Sequence, residues 1–177
     1  MGALKIIGGI LFCFLAMIYH CEAQEEVPWN NIKRLTWNDF KGEVPLGAVA
    51  AATTASGISY KFSTHNKGNK MIVDYDVSSF FYPTKSWYRP AICNDVTLIH
   101  EQLHFDISEL FARKMSREMA QTLFTKNVKA EVKAIYKRTL RKLNDFQNKY
   151  DNETDYSRNV SEQKRWVLKI NEELAIN

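Results

Sequence analysis

The sequence has little cysteine, and most of it lies near the amino terminus. Three cysteines occur in 177 residues, and Cys13 and Cys21 fall in a segment that we expect to be removed from the mature chain. Cys93 then remains alone, so the mature chain cannot form an intramolecular disulfide. Its stability must come from packing or from a bound metal.

The sequence also lacks an apolar run long enough to span a membrane. Residues 6–19 are apolar apart from two glycines, but a membrane-spanning helix needs about 20 residues. Lys5 precedes this run, and Cys21-Glu22-Ala23 places small residues at the −3 and −1 positions of a cleavage site, as in secretory signals. We predict a signal peptide over residues 1–23, export to the periplasm or the medium, and no other contact with the membrane.

Charge of one sign is not concentrated anywhere in the chain. The 24 basic and 20 acidic residues give a net charge of +4 and are spread along the predicted helices. This pattern is typical of solvated helix faces and argues against a nucleic-acid partner. The sequence also lacks internal repeats and low-complexity linkers, so we predict one domain over residues 24–177.

Residues 30–90 have the alternation of half-buried strands. Residues 58–62 and residues 71–77 alternate between apolar and polar side chains on either side of a turn cluster at residues 65–69. They are predicted to pair as an antiparallel hairpin. The small residues at 48–55 are predicted to add a further strand.

Residues 94–175 instead have helical periodicity. Apolar residues recur every three or four positions, and this spacing predicts three amphipathic helices. The first begins at Asn94 or Asp95 and ends near Lys114, the second spans residues 128–150, and the third is capped by Ser161 after a polar loop at residues 150–160. Strands followed by helices predict an α+β domain.

The first helix carries the motif HExxH at His100-Glu101-Gln102-Leu103-His104. Residues four apart share one helix face, so His100 and His104 are predicted to bind one Zn²⁺. Glu101 is predicted to act as the general base that takes a proton from a zinc-bound water. With the hairpin sheet before it, this helix predicts a zincin-like arrangement.

The third metal ligand is left open by the spacing of the motif. The metzincin pattern would need Gly at 107 and His at 110, where this chain has Ile107 and Leu110. A thermolysin-like ligand would be a glutamate on a following helix, Glu118 or Glu131, although a solvated charge is the simpler interpretation of both. The alternative is an oxygen ligand from residues 151–156, which contain three carboxylates and a phenol.

Other polar residues are given no part in the metal site. His65 is predicted to be exposed in the hairpin turn, and Cys93 lies about 10 Å along the helix axis from His100, too far to share a metal. Glu109 and Arg113 have the spacing of a helical ion pair and are predicted to form one.

The chain resembles the bacterial DUF922 family, described as secreted or periplasmic proteins and predicted Zn-dependent proteases. The matching segments are Leu35–Gly42, Ala51–Tyr60, Phe81–Trp87, His100–Ile107 with Glu109 and Ala112–Lys114, and Tyr150–Thr154 with Gln163 and Trp166. The resemblance implies an exported protein with a metallopeptidase-like site. The family pattern places a histidine where this chain has Tyr156, so the third ligand is expected to be Asp151 or Tyr156.

The sequence therefore predicts an exported zinc metallopeptidase that acts on peptides or cell-envelope proteins. The alternative is a zinc-binding module with weak or no activity that recognises a cell-envelope partner without cutting it. A zinc amidase acting on cell-wall peptide links would use the same site and differ only in its substrate.

Overall fold

The computed structural model describes residues 25–68 and 70–176. Within these ranges all strands precede the three long helices, which confirms the predicted α+β class. The predicted signal peptide at residues 1–23 lies outside the described residues. None of the helices in the described ranges is long and apolar enough to cross a membrane.

Two small antiparallel sheets form the first half. The strands are β1 (Val27–Pro28), β2 (Ala52–Thr53), β3 (Ser56–Lys67), β4 (Lys70–Phe81) and β5 (Trp87–Tyr88). The first sheet has the order β1-β4-β3, and β2 pairs with β5 in the second.

The predicted hairpin is confirmed as β3 and β4, but its turn is shorter than the sequence indicated. Lys67 pairs with Lys70, so only two residues connect the strands, and Gly68 supplies the positive φ, 62°, that such a turn requires. His65 consequently lies within β3, opposite Ile72, and the prediction that it sits in the turn was wrong.

The helices are α1 (Asp95–Gln121), α2 (Val128–Thr154) and α3 (Val160–Ile176). Two of them run further than predicted. The first continues past Lys114 because Met115 and Met119 extend its buried face. The second continues through residues 151–154, which were predicted to be a loop, and Thr154 is fully buried on its last turn.

The connection from α2 to α3 reverses the chain without a glycine. Asp155, Tyr156 and Ser157 have φ values of 48°, 51° and 76°, in the left-handed region. Asn159 then caps α3, since its Oδ1 accepts a hydrogen bond from the Glu162 backbone N–H. The predicted cap, Ser161, instead donates its hydroxyl to Asn159.

The core is built around α1, which contacts β3, β4, α2 and α3. Leu103, Ile107 and Leu110 are at most 1% exposed and pack into the main hydrophobic cluster. Ile99 was predicted to share this buried stripe, but it is 49% exposed and borders a surface cavity beside α3.

A buried carboxylate on α1 anchors the segment that follows β1. Asp106, which is inaccessible to solvent, accepts hydrogen bonds from both terminal nitrogens of Arg34 and from Trp29 Nε1. Gln102 donates to Asp106 and accepts from the Leu35 backbone N–H at 2.6 Å. The face of α1 that carries these groups is therefore committed to holding the amino-terminal segment.

The predicted pair between Glu109 and Arg113 is confirmed, with Nε 2.7 Å from Oε1. Ser79 donates to the other oxygen of Glu109, and Arg113 donates to the Leu174 carbonyl. The pair thus ties α1 to β4 and to the end of α3.

Candidate metal centre

Two histidine side chains meet on one face of α1, one turn apart. The Nε2 atoms of His100 and His104 are 3.3 Å apart, and the two rings are nearly perpendicular. The start of α1, before the two histidines, is fixed by an N-cap: the Asn94 side chain accepts a hydrogen bond from the Thr97 backbone N–H. The structure therefore brings together the two residues that the motif predicts as ligands.

A third donor atom comes from the last turn of α2. Asp151 Oδ1 lies 3.1 Å from His100 Nε2 and 2.9 Å from His104 Nε2. Tyr150 and Thr154, on either side of Asp151, are fully buried, and Tyr150 holds this turn against α1 by donating its hydroxyl to the His100 carbonyl. His100, His104 and Asp151 form a group of residues that could hold a metal ion.

The side chain of Gln163, on α3, fixes which nitrogen of His100 faces this group. Gln163 Nε2 donates to the Val96 carbonyl at 2.9 Å, so its oxygen is the atom that faces His100 Nδ1 at 3.2 Å. An amide oxygen only accepts, and Nδ1 must therefore carry the proton. In the neutral ring this leaves a lone pair on Nε2, directed at Asp151 and His104.

This donor set fits a tetrahedral divalent metal. Zinc bonds of about 2.0–2.1 Å place neighbouring ligand atoms about 3.3 Å apart, and the three separations here are 3.3, 3.1 and 2.9 Å. Two imidazole nitrogens and a carboxylate oxygen also suit zinc chemically. Three acceptors that converge on one point repel each other unless a proton or a cation lies among them.

The close contact of these side chains shifts the pKa values of His104 and Asp151. Burial lowers the pKa of His104, but the hydrogen bond to Asp151 and the charges of Glu101 and Asp151 outweigh it, so the pKa lies above its usual value. Burial acts to raise the pKa of Asp151, yet the hydrogen bonds from His100 and His104 hold it well below its usual range. The raised pKa of His104 favours a proton on this ring when no metal is bound, and a metal that binds there has to displace that proton.

Tyr150 forms the wall behind the histidines. Its ring stacks on His100 at 4.5 Å between centroids and meets the His104 ring edge-on at 5.1 Å. Trp166 also contacts Tyr150, with the ring centroids 5.2 Å apart and the rings tilted by 55°. Burial, followed by the charges of Glu101 and Asp151, raises the pKa of Tyr150 far above its usual value, so the phenol stays neutral.

Glu101, the predicted general base, is buried beside the histidines and is only 5% exposed. Among residues 25–68 and 70–176 its carboxylate has no hydrogen-bond partner, unlike those of Asp106 and Glu109. Its charge raises the pKa of both His104 and Tyr150. The Glu101 carboxylate therefore lies close to His100, His104 and Asp151 but is not one of the three candidate ligands.

The two sequence candidates for the third ligand are placed differently. Asp151 touches both histidines, whereas the side chain of Tyr156 is 59% exposed and lies under the Arg158 guanidinium at 6.0 Å. The structure thus favours Asp151 over Tyr156 as the oxygen donor.

The two glutamates considered as thermolysin-like ligands lie elsewhere. Glu118 forms an ion pair with Arg138. Glu131 accepts hydrogen bonds from the backbone N–H and the hydroxyl of Thr125. Glu118 thus links α1 to α2, and Glu131 ties the connection before α2 to its first turn.

His65 and Cys93 also stand apart from the group. His65 Nδ1 is 3.0 Å from Asp74 on the neighbouring strand. Cys93 donates its thiol to the Ala51 carbonyl at 3.2 Å, and burial raises the pKa of this thiol. Neither side chain belongs to the cluster of candidate ligands within the described residues.

Replacing Gln163 by leucine is expected to weaken zinc binding by about 10–100-fold, the usual effect of losing the partner that orients a ligand histidine. Leucine keeps the volume but leaves the His100 Nδ1–H without an acceptor. The zinc dissociation constant can be measured by competition with a chromogenic chelator.

The matched control for this change is Gln147→Leu. Gln147 Nε2 donates to the His104 carbonyl, on the backbone of α1, and touches neither imidazole ring of the group. Equal zinc affinities of the two variants would show that the contact between Gln163 and His100 does not orient the ligand.

Residues 92–158 match the DUF922 family, described as a bacterial protein of unknown function. The matched range contains the HExxH motif, Asp151 and Tyr156, and the resemblance predicted from the sequence is confirmed over it. The similar segments before residue 92, as well as Gln163 and Trp166, lie outside the match. No curated protein and no solved structure matches the chain.

Proposed function

We propose that this chain, whose DUF922 segment supplies the motif and Asp151, is an exported zinc-dependent metallopeptidase. In this proposal His100, His104 and Asp151 bind the metal. Glu101 is the general base, and peptides or cell-envelope proteins are the substrates.

The observation that carries the proposal is the convergence of His100, His104 and Asp151 beside the Glu101 carboxylate, which makes no hydrogen bond within the described residues. Three protein ligands leave one position of a tetrahedral metal open, which is the pattern of catalytic rather than structural zinc sites. The side chains of His104 and Asp151 are 14% and 24% exposed, against 5% for His100. Solvent can therefore approach the proposed metal position from the side of His104 and Asp151.

Glu101 supports a hydrolytic role because a purely structural metal has no need of it. Its carboxylate makes no hydrogen bond to the described residues, and its oxygens keep some contact with solvent, so it can accept a proton from a water beside the metal site. When bound, zinc would lower the pKa of water to about 7 and polarise the scissile carbonyl. Glu101 would take the proton from the attacking water and give it to the leaving amine.

A substrate could lie along the segment that passes beside α1. Ala51 accepts from the Cys93 thiol and Ser56 bonds to Ser108, so residues 51–56 run next to the helix from before His100 to one turn beyond His104. Thr54 Oγ1, within this segment, is a buried side-chain oxygen without a partner. An extended peptide could pair with the backbone of this segment.

Export rests on the amino-terminal sequence alone. The apolar run and the small residues before Gln24 are typical of a secretory signal. Mass spectrometry of protein from the periplasm or medium should therefore find a chain that begins at Gln24, and an intact amino terminus in the cytoplasm would exclude export.

The proposal is tested by measuring zinc and peptide cleavage on the same purified mature chain. We expect one zinc per chain, cleavage within a mixed peptide library, loss of cleavage after chelation and recovery on adding one equivalent of zinc. Bound zinc without any cleavage would support the alternative of a metal-binding module, and a chain that takes up no zinc would contradict both.

A further inference from the structure

A surface cavity lies on the side of α1 that faces away from His100 and His104. Its volume is about 400 Å³. Three separate segments, the chain after β1, the middle of α1 and the end of α3, form its walls. The side chains that define it are Trp29, Asn31, Arg34, Arg113, Asn171 and Leu174.

Two arginine side chains line this cavity, and each is paired with a carboxylate that is more deeply buried than the arginine itself. Arg34 is 45% exposed while its partner Asp106 is fully buried, and Arg113 is 29% exposed against 15% for Glu109. Each arginine spends two of its nitrogens on protein acceptors. A guanidinium has five N–H groups, so donors on both arginines remain available.

Two carboxamides at the same cavity are also unused. Asn31 and Asn171 make no side-chain hydrogen bond within residues 25–68 and 70–176. The Trp29 indole, held 5.2 Å below the Arg113 guanidinium, adds a flat apolar wall, and Leu174 adds a second. The cavity therefore combines unpaired donors with a surface for a planar or apolar body.

This cavity is separate from the candidate metal centre. Arg113 follows His104 by nine residues, which is half a turn round the helix after two full turns and about 13 Å along its axis. A molecule in the cavity could not reach the histidines, so an occupant would not be the peptide at the metal.

We propose that this cavity binds a small organic anion, with its carboxylate or phosphate oxygens on Arg34 and Arg113 and its body against Trp29. Guanidinium groups bind both kinds of oxyanion through paired, charge-assisted hydrogen bonds. Asn31 and Asn171 donate to the same anion or to its polar substituents. This site is independent of the proposed peptidase activity.

The test uses benzoate and phenyl phosphate as probes with the full mature chain. Binding is followed through the indole N–H resonance of Trp29 and by calorimetry. We expect saturable binding of at least one probe at millimolar concentration. Tighter binding of phenyl phosphate would identify a phosphate ester as the occupant, and tighter binding of benzoate a carboxylate.

Asn171→Asp supplies the decisive variant. The change is nearly isosteric and Asn171 holds no other residue, so the fold should persist, as thermal melting will verify. A negative charge within a few ångströms of the bound anion should weaken binding about 10-fold or more. Asn144→Asp, the same change on exposed α2, should leave binding unaltered. Failure of both benzoate and phenyl phosphate to bind, or equal binding by Asn171→Asp and Asn144→Asp, would overturn the site.

Discussion

Replacing Glu101 by glutamine is expected to lower kcat/KM for peptide cleavage by about 10²–10⁴-fold, the range that a positioned general base contributes. Glutamine has the same shape but cannot accept the proton of the attacking water. Because Glu101 contacts neither imidazole ring through a hydrogen bond in the described structure, the zinc content should stay at one per chain. Cleavage rates and bound zinc are measured on the same preparation.

The control for Glu101→Gln is Glu118→Gln, the same chemical change on the same helix. Glu118 pairs with Arg138, far from the histidines, and its loss should leave kcat/KM close to that of the unaltered chain. If Glu101→Gln cleaves peptides as fast as Glu118→Gln, Glu101 is not the base.

Replacing Asp151 by asparagine is expected to weaken zinc binding by more than about 100-fold. The loss should exceed the 10–100-fold typical of an outer hydrogen-bond partner, because Asp151 supplies the only negative charge in contact with both histidines among the described residues. Asp145→Asn, an exposed aspartate on the same helix, is the matched control and should bind zinc normally.

The same change should be visible in thermal unfolding. With zinc at 1,000 times its dissociation constant, the unaltered chain gains about 4.1 kcal/mol of stability from binding, and a variant with 100-fold weaker affinity gains only about 1.4 kcal/mol at the same zinc concentration. The rise in Tm on adding zinc should shrink accordingly.

Tyr156→Phe separates the two candidates for the third ligand. We expect this variant to bind zinc as tightly as the unaltered chain, because the Tyr156 ring is exposed and lies against Arg158. Normal zinc binding by Asp151→Asn together with loss of zinc from Tyr156→Phe would transfer the ligand role to Tyr156.

The sequence predicts part of this site well because helix geometry alone determines it. Residues four apart must share a face, so the meeting of His100 and His104 follows once α1 is recognised. The separation of strands and helices is likewise readable from two different periodicities. Neither inference depends on how the elements pack together.

Asp151 could not be singled out from the sequence, because the signal that places it is not local. Residues 151–155 are polar and lack periodicity, which suggested a loop. Tyr150, just before Asp151, packs against His100 of α1, and Thr154 is fully buried on the same turn, which only the folded structure reveals.

Gln163 and Asp106 were missed as functional groups for a related reason. Gln163 reaches His100 only because α3 crosses the beginning of α1, and no spacing rule connects residues 63 positions apart. Asp106 follows the motif by two residues, yet its role as the anchor of Arg34 depends on the path of the amino-terminal segment.

Tyr150 contacts both the His100 ring and the Trp166 indole, and this has a practical consequence. If His100 and His104 bind a metal as proposed, the Trp166 indole, in contact with the ring that stacks on His100, should change its emission when the metal binds. Trp166 would then report on the proposed metal uptake, which could be timed by stopped-flow fluorescence without attaching a dye.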